Sequence, residues 1–278
     1  MPRLVVLIPV REGQKTLGTA LRSTLRAIPA DSAVYLHLDG ESVSDYSHLE
    51  RYFLDPRVHI STSKGKLGVA KSLNLLMKAS DSEFVARMDA DDVTLRGRFT
   101  HQYSYMRTRN LDFCFGAAIV FGARAWPLPV FPQVPLELKP EEATHALAVY
   151  NPYVHPTMFA NRISIESLGG YADLASEDYD LWVRAAVAGY RLGRMSRYLL
   201  LLRKHATQLT ASNSWQADSR AEQNSRKLLS GLGTSGPADS QRLHPEATEL
   251  EISWDRKSAF HHFDRKGLKF FGGSLEQS

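Results

Sequence analysis

The stretch Phe84-Val85-Ala86-Arg87-Met88-Asp89-Ala90-Asp91-Asp92 ends an apolar run in three carboxylates within four positions. Side chains alternate along an extended backbone, so Asp89 and Asp91 project to one side just past a strand end, where open α/β sheets hold their ligands. Two hard oxygen donors in that place suit Mg²⁺ or Mn²⁺ held together with substrate phosphates. Mg²⁺ takes one or two protein carboxylates and keeps its other positions for water and phosphate oxygens. A lone Asp-Xaa-Asp describes a solvated acidic loop equally well, so the surrounding residues must decide between the two. Arg87 lies two residues before Asp89 and points the same way. A charged residue in an otherwise apolar strand needs a partner, either a carboxylate such as Asp89 or Asp39 or the phosphate and ribose of a bound nucleotide.

The elements that must position these groups can be read from periodicity. Residues 4–10 form a continuous apolar run, the pattern of a buried parallel strand, and Leu17, Leu21, Thr24, Leu25 and Ile28 then recur at helical spacing up to Pro29. An apolar strand at 34–38 ends at Asp39-Gly40, a third is expected at 58–62, and Gly68 opens a helix with Val69, Leu73 and Leu76 on one face. Strands alternating with helices in units of about 30 residues imply a parallel sheet with right-handed crossovers. Beyond Asp92 the pattern predicts a helix with Phe99, Tyr103 and Met106, a strong strand at 113–121, a Pro-rich loop or flap at 127–140 and a short helix to Tyr150. A strand-like 154–160, a Gly169-Gly170 turn, a helix at 177–188 and a strand at 198–202 follow. From residue 211 the chain turns polar, with one helix expected at 215–232 and an aromatic-basic tail.

The 278 residues, 43% apolar and 23% charged, fit one large domain with an elaborated second half. Cys114, the single cysteine, lies in an apolar run, so no internal disulfide forms and a reducing cytoplasm is the expected compartment. No apolar run approaches the roughly 18 residues of a membrane span, and no basic leader precedes the first strand. The net charge of +4 is spread through the chain without a nucleic-acid motif, which makes no case for nucleic acid and fits anionic substrates or an anionic membrane surface.

Several further stretches complete the pattern: Ile8-Pro9-Val10-Arg11-Glu12, Leu38-Asp39-Gly40-Glu41-Ser42, Asn151-Pro152-Tyr153-Val154-His155-Pro156, Gly169-Gly170-Tyr171, Ser176-Glu177-Asp178-Tyr179-Asp180-Leu181-Trp182 and Leu202-Arg203-Lys204-His205. Together with residues 86–92, and in this order, they resemble the family 2 glycosyltransferases of the GT-A fold, over about residues 4 to 210. The resemblance implies an α/β fold of GT-A type, Rossmann-like, with a mostly parallel central sheet flanked by helices and a C-terminal helical extension. Residues 1–110 would form the nucleotide-sugar-binding half, 111–210 the acceptor half of the same domain, and 211–278 the extension.

The resemblance also implies roles. The donor nucleotide would lie near Pro9, Val10, Arg11, Glu12 and Asp39, with Lys66, Arg87 and Ala90 beside it and the diphosphate bridged to Asp91 by Mn²⁺ or Mg²⁺, assisted by Asp89 and His205. Asp39-Gly40 alone is equally a turn-forming pair. Where many relatives carry Asn-Xaa-Gly before the second long helix, this chain has Lys64-Gly65-Lys66-Leu67-Gly68. One carboxylate of Glu177-Asp178 would deprotonate the acceptor hydroxyl. Asp178 is preferred over its close competitor Glu177, and helix capping is the plainer role of the pair. His155, Asp180 and Trp182 are expected on the acceptor side, His155 lining the pocket there or on the donor's side, Asp180 and Trp182 shaping the pocket or packing.

The activity implied is an inverting, metal-dependent hexosyl or N-acetylhexosaminyl transfer from a UDP-sugar to a saccharide or lipid-linked saccharide. A sugar-phosphate nucleotidyltransferase and a non-catalytic nucleotide-sugar-binding protein are the alternatives. In the tail, Phe260, Phe263, Phe270 and Phe271 alternate with Arg265, Lys266 and Lys269, which suits either peripheral contact with an anionic membrane or packing onto the domain.

Overall fold

The computed structural model describes residues 1–122, the backbone of 130–132, and residues 134–174 and 176–204. The helix expected at 215–232, the aromatic-basic tail, His205 and part of the Pro-rich connection lie outside the described residues.

Strands β1 (Leu4–Val10), β2 (Ser32–Leu38), β3 (Val58–Thr62) and β4 (Phe84–Arg87) pair in parallel in the order β3-β2-β1-β4. Helix α1 (Leu17–Ala27) follows β1, and α3 (Val69–Lys78) follows β3. The run of apolar residues in β1 exists because both faces of the sheet are covered. Val6, Ile8 and Val10 pack with Leu17 and Leu21 of α1 on one face, while Val5 and Leu7 pack with Leu73 and Leu76 of α3 on the other.

Beyond β4 the sheet becomes mixed. β8 (Phe159–Asn161) runs antiparallel to β4 and to β6 (Phe113–Phe121), β6 lies parallel to β9 (Leu192–Arg203), and the two-residue β5 (Val93–Thr94) pairs antiparallel with β9. The three-residue β7 (Val130–Pro132) extends the edge against β6. Helix α4 (Arg98–Arg109) covers the α1 face, and α5 (Pro140–Leu147), α6 (Arg162–Ser167) and α7 (Glu177–Val187) cover the α3 face. Cys114 is buried and unpaired. No helix among the described residues is long and apolar enough to cross a membrane.

Two expectations need correction. The strand at 154–160 is a 3₁₀ turn, His155–Thr157, followed by the short β8. Pro156 lacks the N–H that a central strand needs, so pairing starts only after it. The strand at 198–202 begins earlier, at Leu192, because a register shift against β6 between Phe115 and Ala117 breaks the alternation of Arg194, Ser196 and Arg197. The polar segment between β2 and β3 also folds, as a 3₁₀ helix Val43–Leu49 and a short α2 (Glu50–Phe53).

Gly116 sits at that register shift, where a Cβ would fall 2.3 Å from Leu199 Cδ1 and 3.0 Å from the Arg197 carbonyl oxygen. Gly116→Ala is therefore expected to destabilise the fold by about 1–3 kcal/mol. The check is urea unfolding: the midpoint falls while the slope is kept, and an unchanged midpoint refutes the packing argument.

Candidate active site

The parallel strands β1, β2 and β4 end along one edge of the sheet, and each releases a loop there. After β1 the chain turns sharply, with Glu12 in the left-handed region at φ 56°. Glu41 holds this loop: its carboxylate accepts the Glu12 N–H at 3.1 Å, the Gln14 amide at 2.8 Å and the Tyr46 hydroxyl at 2.7 Å. Pro9 and Val10 are wholly or partly buried beneath it, while Arg11 and Glu12 are exposed. After β2, the buried Asp39 accepts the Leu67 N–H at 2.5 Å and the Gly68 N–H at 3.0 Å. It thus ties the 63–68 loop and the start of α3 to the sheet edge. Gly40, at φ +73°, admits this loop, since a Cβ there would meet Lys66 Cγ at 3.1 Å. Lys66 itself is exposed.

After β4 come the three carboxylates. Ligand oxygens of Asp89, Asp91 and Asp92 lie within 4.8 Å of one another. Asp92 Oδ1 accepts the Arg203 N–H at 2.8 Å, and the Arg203 guanidinium donates to the Asp91 carbonyl at 2.9 Å while lying over the Phe121 ring. β9 thereby closes the cluster two residues before His205. Asp92 Oδ2 is buried and has no partner. Burial, followed by the charges of Asp89 and Asp91, pushes the Asp92 carboxyl up to about 9. Burial and Asp91 likewise raise Asp89, against the pull of Arg87. Three crowded hard oxygens, one of them an orphan, fit a divalent cation such as Mg²⁺ or Mn²⁺.

Arg87 connects this cluster to a second one. Its side chain is only 8% exposed, its guanidinium meets Asp89 at 2.5 Å, and its Nε has no hydrogen-bond partner. Burial acts against its charge, but Asp89, Glu177, Tyr171 and Asp178 outweigh that, and the guanidinium is held above its ordinary pKa. Glu177 and Asp178 begin α7, where the helix dipole favours carboxylates. Asp178 Oδ2 accepts from the Asn151 side-chain amide at 3.0 Å, and Asn151 Oδ1 in turn accepts the Tyr153 N–H. Burial pushes Glu177 up to about 7, with the charge of Asp178 adding to the shift. Burial raises Asp178 as well, opposed by its hydrogen bonds to the Tyr179 N–H and Asn151. His155 faces Glu177, with Nδ1 3.7 Å from Oε1.

Arg87, Asp89, Asp91, Glu177, Asp178 and His155 thus form one connected group at the edge where β1, β2 and β4 release their loops. Two residues expected on the acceptor side are engaged in contacts within the protein. Trp182 is fully buried, edge-on to Phe113, Phe115 and His155, and so supports the site from behind. Asp180 pairs with Arg184 at 2.8 Å, and Arg184 clamps the Leu168 and Gly170 carbonyls, fixing the glycine turn.

Sequence reading placed Glu41 and Asn151 within motifs without giving them a role, and missed Arg98 and Gln102. Arg98 is fully buried in α4 and donates to the Arg87 carbonyl at 2.8 Å, and burial drops its pKa to about 9. Gln102 reaches the Cys114 and Thr157 carbonyls. An Arg and a Gln four apart on the buried side of a helix were the available signal.

Residues 5–167 match the model of glycosyl transferase family 2. The chain is similar to the amylovoran biosynthesis glycosyltransferase AmsE of Erwinia amylovora, 29% identical over 152 residues, which is 54% of this chain and 55% of that protein. The match thus spans about half the length of that relative. Among solved structures, S. aureus TarS 1–349 in complex with UDP-GlcNAc superposes with a TM-score of 0.66 at 16% identity, covering 81% of this chain and 66% of that one. The mannosyltransferase PcManGT of Pyrobaculum calidifontis, in complex with GDP-Man and Mn²⁺, superposes with a TM-score of 0.58 at 14% identity, covering 86% and 66%. At these identities the likeness is one of fold, and it is the GT-A likeness that the motifs imply.

The carboxylate cluster makes a direct prediction about metal. Excess Mn²⁺ should raise the melting temperature of the protein, as any ligand of the native state does. Asp91→Asn should abolish that shift, and a shift of the same size in the variant overturns the assignment of Asp91 as a ligand.

Proposed function

The chain belongs to glycosyl transferase family 2, and from that premise we propose that it moves a hexosyl or N-acetylhexosaminyl group from a nucleoside diphosphate sugar, UDP in our reading, to a hydroxyl of a saccharide or lipid-linked saccharide, with inversion. The observation that carries this reading is Arg87, whose buried guanidinium pairs with Asp89 and feels the charges of Glu177 and Asp178. It joins a carboxylate cluster suited to a metal-bound diphosphate to a carboxylate pair suited to proton abstraction. The nucleotide sugars named with TarS and PcManGT support a nucleoside diphosphate sugar as the donor class.

In this reading the loop that Glu41 holds and the loop that Asp39 ties down flank the nucleotide, with Lys66 and Arg11 exposed beside it. Asp39 spends one lone pair of each oxygen on Leu67 and Gly68, so it shapes the loop and keeps its remaining acceptor capacity for a base or ribose donor. Asp89, Asp91 and Asp92 would hold Mn²⁺ or Mg²⁺, which supplies positive charge to the leaving diphosphate. Asn151 orients Asp178. Asp178 then takes the proton of the acceptor hydroxyl as its oxygen bonds to the anomeric carbon and the bond to the diphosphate breaks on the opposite side. A single displacement inverts the anomeric configuration. Arg87 keeps the two carboxylate groups in fixed register, which is what positioning contributes to such a step.

Two measurements test the reading. Asp178→Asn should leave the donor KM nearly unchanged and cut kcat by about 10²–10⁴, the usual share of general-base catalysis. A variant that keeps its kcat removes Asp178 from the role. NMR of the first-formed product from a panel of nucleotide sugars should show the inverted anomer, and retention refutes the single displacement.

A further inference from the structure

His155 and Tyr171 are buried beside Glu177, behind the sheet edge where donor and acceptor would meet. His155 Nε2 lies 3.0 Å from the Tyr171 hydroxyl, which also reaches Met158 Sδ at 3.4 Å. Its Nδ1 faces Glu177 Oε1 at 3.7 Å, longer than a hydrogen bond and within the range that tightens when a substrate binds. Burial, with Arg87 adding, drives the His155 pKa well below its ordinary value, so the ring is neutral and carries one N–H and one lone pair.

Donor directions along this chain are therefore locked together. With the proton on Nε2, the ring donates to Tyr171, the tyrosine hydroxyl turns to Met158 Sδ, and Nδ1 offers a lone pair to the facing Glu177, which meets it when protonated. With the proton on Nδ1, the ring donates to an ionised Glu177, and Nε2 accepts from the Tyr171 hydroxyl. One proton separates the two arrangements, and His155 is neutral in both.

We propose that His155 and Tyr171 are positioning residues that hold one proton on Glu177 through this tautomer exchange and leave Asp178 as the ionised carboxylate that takes the acceptor's proton. The inference rests on the reading of Glu177 and Asp178 as the base pair. Adjacent carboxylates in one helical turn oppose double ionisation, so the pair shares a proton and the surroundings decide where it sits.

Asp178 faces hydrogen-bond donors, the Asn151 amide and backbone N–H groups of its own helix turn, which favour the ionised form. Glu177 faces Arg87 and Asp89 from the end of β4, Asp178 on its own helix, and His155 and Tyr171 from the turns on either side of α6. Of these, His155 Nδ1 is the neutral acceptor placed for a carboxyl proton. During transfer the acceptor O–H breaks, its proton passes to Asp178, its oxygen forms the new glycosidic bond, and the Glu177 proton stays in place.

The test is NMR of the full chain labelled with ¹⁵N-histidine, without sugar donor or metal, titrated over roughly pH 5 to 9. The His155 signals are identified by their loss in His155→Gln. Nδ1 and Nε2 should exchange their protonated and bare shifts with a midpoint at about 7, Nε2–H below it and Nδ1–H above it. In Glu177→Gln a single tautomer should persist at every pH. A ring that keeps one tautomer in the unmodified protein, a ring that becomes imidazolium in this range, or an exchange that survives Glu177→Gln overturns the proposal. Because no donor is present, a failed exchange leaves the transfer assay standing. A normal exchange in a protein that transfers no sugar overturns the functional reading instead.

Discussion

A buried guanidinium between two groups of carboxylates is the interaction on which the rest of this structure depends. An unpaired charge inside a protein is untenable, so Arg87 at the end of β4 requires Asp89 on one side and the start of α7 on the other. The reverse also holds. Glu177 and Asp178 begin a helix whose Leu181, Trp182 and Val183 fix it in the core, and their negative charges lie where burial would otherwise neutralise them. The interaction joins the parallel half of the sheet, with the loops that follow β1, β2 and β4, to the helix that carries the carboxylate pair. Neither cluster is set by its own segment alone.

The scaffold beneath this contact is polar where sequence periodicity predicts plain core. Arg98 and Gln102 project from α4 into the protein and donate to the Arg87, Cys114 and Thr157 carbonyls. These carbonyls belong to the end of β4, to β6 and to the 3₁₀ turn that holds His155. One helix therefore fixes the backbone under both Arg87 and His155. A hydrophobic pair in the same positions would fill the space yet leave those carbonyls without donors, and a buried acceptor without a partner costs about 1–3 kcal/mol. The lowered pKa of Arg98 reflects how far that guanidinium has been taken from water.

How much was legible in the sequence follows from the same physics. β1, α1, β3, α3, α4, β6 and α7 are each an apolar run or stripe long enough to announce its period, and the junction of β4 with three aspartates was visible as a change of chemistry. β5, two residues long, and the polar 3₁₀ helix Val43–Leu49 carry no period to detect. The partners of Asp39 were hidden because Leu67 and Gly68 contribute backbone N–H groups from a distant loop, and a backbone donor leaves no trace in residue type. The side of α7 that meets the site was hidden too. Asp180 and Trp182 were expected to shape the acceptor pocket or to pack, and residue type alone does not separate the two roles. In the structure Asp178, in the first turn, accepts from Asn151, while Trp182, one turn on, lies edge-on to His155. A buried, satisfied polar network such as Arg98-Gln102 is legible only once the carbonyls it serves have been placed.

The electrostatics that remain point to a site built against its own stability. Asp89, Asp91, Asp92, Glu177 and Asp178 converge on few positive charges, and burial raises Asp92 to about 9 and Glu177 to about 7. A carboxyl whose folded pKa lies above its unfolded value contributes stability below the unfolded value and loses it as pH climbs through the folded one. At neutral pH the ionisation of these groups therefore works against the fold. Such a concentration of unfavourable charge has a rationale where positive charge is to be received, because a cation lowers the free energy of the clustered carboxylates and an acceptor's proton does the same for the pair on α7. The carboxylates nearest the sheet edge thus lower the stability of the fold at neutral pH, and a bound cation would relieve that repulsion.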